Sequence, residues 1–503
     1  MHFFELLEGV DGARIVQHPA RDIREAREDS RRVAPGDLFV AIPGTKADGR
    51  AFIQDALAKG AKALIVEESA EGMPTVPADV ALAVVPSARK ALGILATNRY
   101  HTQSLPLLTA VTGTNGKTTT TYLVEAILAA AGRRPGVIGT VGYRFAGRSR
   151  EANLTTPGAL DLHAFLSEIN QARGTDAILE ASSIALDQGR LAGCRFRVAA
   201  LTNVTQDHLD YHGTMEAYFK AKTILFRELL SGTGVLFLDD EFGKAMRQEC
   251  KGRVLTLSRK DRSADVVVLE RQLLQSGIRA KLQTPSGTLD IASPLVGDFN
   301  LSNILTAVGI AIAHEVPPDA IVSGLSRLKG VPGRLQTVAN EVGVLCVVDY
   351  AHTPDALKRA LEVLRPLTRG RVICVFGCGG DRDQGKRPIM GVAAAKGADI
   401  SIVTSDNPRT EDPKAIVEMI VDGIRGTDVP ARSAAELAEG AVGYHVEPDR
   451  STAISRAISL SRMGDVVLLA GKGHEDYQVI GTEKIHFDDR EIAAAAFAAR
   501  RCA

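Results

Sequence analysis

The sequence predicts an α/β protein built on mainly parallel sheets, and three observations predict it. At 503 residues the chain is too long for one hydrophobic core and suggests about three domains. Short apolar runs alternate with helical patterns nearly throughout, as in strand–helix–strand units. Many of these runs end on polar residues, which is where open α/β sheets meet their ligands.

The first segment, residues 1–104, holds the short strands DLFVAI and KALIVEE and closes on the helical stretch ARKALGILATNRYHTQ. Its run RDIREAREDSRR sets five arginines against four acids and reads as a solvated, charge-paired segment.

The second segment, residues 105–336, opens with TAVTGTNGKTTTTYLVEAIL: a strand, a glycine-bearing loop and a helix. The common phosphate loop is G-x-x-x-x-G-K-[ST]. Gly116, Lys117 and Thr118 fit its end, but Val111 stands at the first glycine and the loop glycine is Gly113. The stretch Gly113, Thr114, Asn115, Gly116, Lys117, Thr118 and Thr119 still suits phosphate, because backbone N–H groups gather there at a helix N-terminus. Lys117 would meet the β- and γ-phosphates of a nucleotide, and the Thr118 hydroxyl a Mg²⁺ ion. The strand TDAILEAS carries Glu180, and RVAALTNVTQDHLD runs into Asn203, Asp207 and His208. Glu180 and His208 are candidates for a second metal site; taken alone, each reads as an ordinary strand-end polar residue. MEAYFKAKTILF reads as an amphipathic helix on which Lys220 and Lys222 would by default be solvated.

In the third segment, residues 337–503, LCVVDYAHTPD ends on Asp349 and His352, and RVICVFGCGGDRDQGKRP runs into Arg382. ADISIVTSDNPRTEDP runs into Asp406 to Arg409, and DVVLLAGKGHEDYQ into Lys472, His474 and Glu475. Pro408 pushes Asn407 toward extended geometry and would aim Arg409, whose guanidinium suits bidentate capture of a carboxylate. The other reading is a turn capped by Asp406 and Asn407 with Arg409 in solvent. GCGGDRDQGKRP likewise either binds an anion or simply turns.

Lys+Arg and Asp+Glu are equal at 60 each, which gives no reason to expect a nucleic acid or an anionic membrane as partner. No apolar run approaches the ~20 residues of a membrane span. MHFFELLEGVDGARI carries acids and no basic-then-apolar signal pattern. The six cysteines (194, 250, 346, 374, 378 and 502) have no framework spacing and read as reduced thiols of a cytoplasmic protein.

Taken together, these stretches resemble the Mur ligase family over nearly the whole chain. DSRRVAPGDLFVAIPGTKADGRAFI, TGTNGKTTT, LTTPG, EASSIALDQGR, TNVTQDHLDYHGTMEAYFKAK, GDFNLSNILTAVG, GVPGRLQ, DYAHTPDAL, GCGGDRDQGKRP, SDNPRTEDP and AGKGHEDYQ follow in family order. The shortened phosphate loop is the family's own form. The resemblance implies a UDP-substrate-binding domain over residues 1–104, a P-loop ATPase domain over 105–336 and a Rossmann-like, amino-acid-binding domain over 337–503. It implies an ATP-dependent ligase of peptidoglycan precursor synthesis. Such an enzyme phosphorylates the D-Glu γ-carboxylate of UDP-MurNAc-L-Ala-D-Glu and joins an amino acid to the acyl phosphate, in the cytoplasm, as a monomer.

Carried over by motif, Lys117, Glu180, His208 and Lys222 would be catalytic, and Thr118, Glu180 and His208 would hold Mg²⁺. Asn303 would contact adenine, Asp349 the ribose, and Arg334 would lie near the transferring phosphate. Ser30, Thr155, Thr156, Ser182, Gln188 and Arg190 would hold the UDP-MurNAc-dipeptide. Lys222 matches the family lysine that reacts with CO₂ to form a carbamate (N6-carboxylysine). One departure is Ile184, where the family often has histidine.

The form Asp406-Asn407-Pro408-Arg409 looks like the signature of members that add meso-diaminopimelate, with Arg382, Gly471 and Glu475 at the other amino-acid positions. Arg409 would pair with the extra carboxylate of diaminopimelate, which lysine lacks. The alternatives are a lysine-adding member, a folylpolyglutamate synthase, which shares the last two domains, and a phosphate-loop switch protein that ligates nothing.

Overall fold

The computed structural model describes residues 1–19, 22–44, 48–68, 72–102 and 107–501. The chain forms two compact units. One comprises Met1–Val268, Leu282–Leu289 and Ser302–Leu325, and the other comprises Leu269–Lys281, Asp290–Leu301 and Ser326–Ala503. The boundary expected near residue 105 lies outside the described residues, as does Cys502.

The first unit contains a sheet ordered Arg14–Gln17, Ala81–Val85, Ala63–Glu67, Leu38–Val40 and Ala26–Arg27, parallel except at the Arg14–Gln17 edge. Its three inner strands are almost wholly apolar because both faces are covered. Leu38, Val40, Ala63 and Ile65 pack with Ala88, Leu92 and Leu95 of the helix Ala88–Arg99, while Phe39, Leu64 and Val66 pack with Ile53 and Ala56. In the arginine-rich run before it, Arg24 and Arg27 both reach the buried Asp37, and Arg31 pairs with Asp29 at 2.8 Å, so these three arginines are charge-paired.

A central sheet follows. Its parallel strands run in the order Arg253–Ser258, Leu230–Phe237, Phe196–Leu201, Leu107–Thr112, Asp176–Glu180 and Pro135–Gly139. The antiparallel strands Gly142–Phe145 and Arg148–Arg150 extend it. The strand Leu107–Thr112 lies between Asp176–Glu180 and Phe196–Leu201, so the loops after three neighbouring strands open on one edge.

The second unit is built on a sheet ordered Gln336–Val338, Leu345–Asp349, Val466–Ala470, Val372–Phe376, Ile400–Val403 and Gly443–Val446, antiparallel only at its first strand. Alternate residues feed two cores. Val347, Cys374, Phe376 and Leu468 face Leu357, Met390 and Ile420, while Val348, Ile373, Val375 and Leu469 face Ile454, Ile458 and Phe497. Both units are therefore α/β with mostly parallel sheets. Cys194, Cys346, Cys374 and Cys378 are buried free thiols and Cys250 is half-buried and free; burial pushes Cys194, Cys374 and Cys378 up to about 12, which leaves them unreactive.

Candidate active site

The phosphate loop bridges the strand Leu107–Thr112 and the helix Lys117–Ala130. Gly116 has φ +87°, and a Cβ there would collide with Oδ1 of Asn303, so only glycine fits and Asn303 lies directly against the loop. The loop is braced by the segment after Phe196–Leu201. The Thr114 N–H donates to the Asn203 carbonyl at 2.8 Å and the Asn115 N–H to Oδ1 of Asn203 at 3.0 Å. The Thr202 hydroxyl donates to the Asn115 carbonyl at 2.6 Å. Lys117 Nζ donates to the Gly113 and Thr114 carbonyls, both at 2.9 Å, which holds its ammonium inside the loop. Thr119 is buried on the first turn of the helix.

Glu180 ends its strand with a carboxylate only 1% exposed. Oε2 accepts from the hydroxyls of Thr118 and Thr140, each at 3.0 Å, and Oε1 from the Thr140 N–H at 3.0 Å. The Thr140 hydroxyl also lies 3.0–3.1 Å from Glu180 and Thr155, which ties Thr155 to the cluster. Buried hydroxyl and carboxylate oxygens are the donor set that a hard cation prefers. Among the described residues no three His, Cys, Asp or Glu side chains converge, so a cation here would draw on threonine and ligand oxygens as well. His208 has φ +51°, its Nε2 lies 3.7 Å from Asp207, and its ring meets Tyr218 edge-on at 6.3 Å.

Lys222 departs from the default reading. Lys220 is exposed on the helix Met215–Ile224, whereas Lys222 is 1% exposed, with Nζ 4.3 Å from the centre of the Tyr218 ring. Burial, with the nearby Lys117 charge, holds its amine well below the ordinary lysine range despite Asp207. Two residues apart on one helix, the two lysines point to opposite sides, and packing alone decides which is solvated. Tyr218 links this group to the phosphate loop, since its hydroxyl lies 3.0 Å from that of Thr114; burial pushes the phenol up to about 12.

Four of the six residues expected to hold the nucleotide-linked substrate form one network. The Thr156 hydroxyl donates to the Glu180 carbonyl at 2.7 Å and lies 3.1 Å from the Ser182 hydroxyl. Arg190 donates to the Thr156 carbonyl at 3.0 Å and through two nitrogens to Oε1 of Gln188. Thr155 joins through Thr140, and Ser30 stands apart, buried in a 3₁₀ turn with Lys59 on its carbonyl. Ile184 is half-buried, but an imidazole reaches its neighbour: Nε2 of His212 lies 3.0 Å from the Ser183 hydroxyl.

The other expected residues belong to the second unit. Asp349 accepts from the Leu335 and Ala351 N–H groups at 2.8 and 2.9 Å; burial nonetheless pushes its carboxyl up. The Arg334 guanidinium sits 5.6 Å from the centre of the Tyr350 ring. Gly380 must be glycine for another reason: a Cβ would strike the Pro408 carbonyl where the two loops touch. Arg409 has φ +51° and is clamped on both sides of its backbone, its N–H donating to the Val479 carbonyl at 3.0 Å and its carbonyl accepting from Gly481 at 2.7 Å. Nη1 donates to the Gly380 carbonyl at 2.7 Å, so the guanidinium is aimed rather than loose in solvent. Asp406, Asn407 and Pro408 are buried, Arg382 is exposed, and Gly471 packs against Asp406. Glu475 accepts from Nδ2 of Asn407 at 2.9 Å.

Several structural partners carried no role in the sequence reading. Thr140 serves Glu180, Asn203 and Thr202 brace the phosphate loop, and Lys472 sits among Asp406, Asn407 and Glu475. Asn203 and Lys472 were visible as polar residues after apolar strands, but that position names no partner.

The Mur ligase middle domain matches residues 111–311, the Mur ligase glutamate ligase domain residues 333–473, and the Mur ligase catalytic domain residues 23–100. The chain is 46% identical to the UDP-N-acetylmuramoyl-L-alanyl-D-glutamate--2,6-diaminopimelate ligase of Gloeobacter violaceus, over 96% of this chain and 95% of that protein. It is also 46% identical to the enzyme of the same name from Synechococcus elongatus, over 97% of each. A solved structure of a ligase with that name has a TM-score of 0.71 at 36% identity, covering 95% of both chains. The chain belongs to the Mur ligase family.

Proposed function

We propose that this chain joins meso-2,6-diaminopimelate to the D-Glu γ-carboxylate of UDP-N-acetylmuramoyl-L-alanyl-D-glutamate, an ATP-dependent step of peptidoglycan precursor synthesis. The observation that carries the reading is the fixed Asp406–Arg409 segment, with Arg409 aimed beside Gly380 and Glu475 hydrogen-bonded to Asn407, in a chain 46% identical along nearly its full length to ligases of that name.

ATP transfers its γ-phosphoryl group to the carboxylate and leaves as ADP. The amine of the incoming amino acid attacks the acyl phosphate, loses a proton, and expels phosphate as the amide forms. The protein's part is alignment and charge stabilisation. Lys117 would steady the transferring phosphoryl group, Asn303 would meet adenine, Asp349 the ribose, and Arg334 the phosphate. Thr155, Thr156, Ser182, Gln188, Arg190 and Ser30 would hold the UDP-substrate. Arg409 and Arg382 would hold carboxylates of diaminopimelate, and Glu475 an ammonium. Mg²⁺, held by Thr118, Glu180 and His208, would neutralise phosphate charge when bound. Lys222, buried and with its amine held well below the ordinary lysine range, is suited to react with CO₂; its carbamate would place an anion where a lysine cation cannot serve.

The domains would be residues 1–104 for the UDP-substrate, 105–336 for ATP and 337–503 for the amino acid. As family membership implies, the chain would act on ATP and small-molecule substrates as a monomer in the cytoplasm; no helix of the described residues is long and apolar enough to cross a membrane. The test is phosphate release with UDP-MurNAc-L-Ala-D-Glu, ATP and Mg²⁺, adding diaminopimelate, lysine or neither, and weighing the product. Release and mass gain with diaminopimelate alone support the reading; turnover with lysine alone overturns its specificity, and silence with both overturns the activity.

A further inference from the structure

Lys472 follows the strand Val466–Ala470 and is 0% exposed. A buried ammonium persists only where anions and acceptors replace its water. Here Nζ lies 3.1 Å from Oδ1 of Asn407, 3.5 Å from Oε2 of Glu475 and 3.6 Å from Oδ1 of Asp406. The rings of Tyr477 and Phe487 stand 5.7 and 5.9 Å away.

This ammonium, together with the Val479 N–H, sets which way the Asn407 amide faces. Oδ1 accepts from Lys472 and from the Val479 N–H at 3.0 Å, while Nδ2 donates to Glu475 at 2.9 Å. A flipped amide would set NH₂ against two donors and leave Glu475 facing an oxygen. Lys472 also divides the two carboxylates. One cation between Asp406 and Glu475 leaves the trio with one net negative charge. Oδ1 of Asp406 is buried without a hydrogen-bond partner, so the cluster has acceptor capacity to spare.

We propose that Lys472 is a positioning residue for the incoming amino acid, holding Asn407 and Glu475 in the orientation that receives an ammonium group of the substrate. The inference rests on the amino-acid site proposed above, and it assigns a role to a side chain that need not touch the substrate itself.

The test uses the full chain and steady-state phosphate release at varied diaminopimelate. Lys472→Met removes the charge and the donor; Lys472→Gln keeps a donor toward Asn407 and is the better candidate to fold. Thermal midpoints and the KM for ATP establish which variants are folded. Expected for a folded variant is a KM for diaminopimelate raised about tenfold or more, with the KM for ATP within about twofold. A folded variant with unchanged amino-acid KM, or one that loses only kcat, overturns the inference. A parent enzyme that ignores diaminopimelate instead overturns the proposed function.

Discussion

The Thr118 hydroxyl donates to Oε2 of Glu180 at 3.0 Å, joining the first turn after the phosphate loop to the end of the neighbouring strand. Two oxygens from separate segments thus share one buried position, with Thr140 holding the carboxylate in place from its other side. Exchanging one carboxylate oxygen for an amide NH₂ would set a donor against hydroxyl and N–H donors. Glu180→Gln is expected to lower kcat by about 10²-fold and to raise the Mg²⁺ concentration needed for half-maximal rate. Magnesium titrations of phosphate release check this; an unchanged magnesium dependence would remove Glu180 from the metal site.

Lys222 is buried and its amine is held below the usual lysine range by desolvation first and the Lys117 charge second. If its function is the carbamate, activity should fall in CO₂-depleted buffer and return with bicarbonate, and Lys222→Met should be inactive at any bicarbonate level. The same depressed amine makes stability rise with pH up to the ordinary lysine range, because the unfolded chain binds the proton that the unmodified native site rejects. Activity of the parent that is indifferent to CO₂ would argue against the modification.

Arg409 is aimed by a left-handed backbone and a hydrogen bond to the Gly380 carbonyl. Arg409→Ala should raise the KM for diaminopimelate by about tenfold to a hundredfold, as for loss of a charge-assisted pair, and leave the KM for ATP nearly unchanged. Steady-state kinetics with each substrate varied in turn distinguishes this from general damage. An unchanged diaminopimelate KM would defeat the specificity argument.

His163 sits between Thr102 (2.6 Å) and Thr97 (3.3 Å), buried where the helix Ala159–Gln171 meets the helix Ala88–Arg99. Burial pushes its imidazole from 6.5 down to about 4. The unfolded chain therefore takes up a proton between these values that the native chain does not, and stability is lost as pH falls through that window. The loss reaches about 3 kcal/mol by the lower end. His163→Gln should be less stable at pH 7 yet lose less of its thermal midpoint between about pH 6.5 and pH 4. Parallel slopes for the two proteins would exclude His163 as a source of the acid sensitivity.

Much of the architecture was legible because parallel strands buried on both faces must be apolar and must end where polar chemistry begins. The runs ending near Glu180, Asn203, Asp349, Asp406 and Lys472 are all strand-to-loop transitions in the folded chain. The loop around Lys117 was legible from its glycines and its place between strand and helix. Partners were harder. Lys220 and Lys222 lie on one amphipathic helix, and nothing in their spacing says which of them is buried, since the helix Met215–Ile224 is covered by segments distant in the chain.

The sequence by itself determined the fold class, the family and the local positions of the site residues, because periodicity, glycine and motif order are properties of neighbouring residues. Only the tertiary structure decided that Glu180 takes its hydrogens from Thr118 and Thr140, that Lys222 is kept from water, and that Lys472 stands between Asp406 and Glu475. The contacts of Glu180 with Thr118 and Thr140, and of Lys472 with Asp406, span dozens of residues. Whether a charge there is solvated, paired or stripped of its proton depends on which distant groups displace its water.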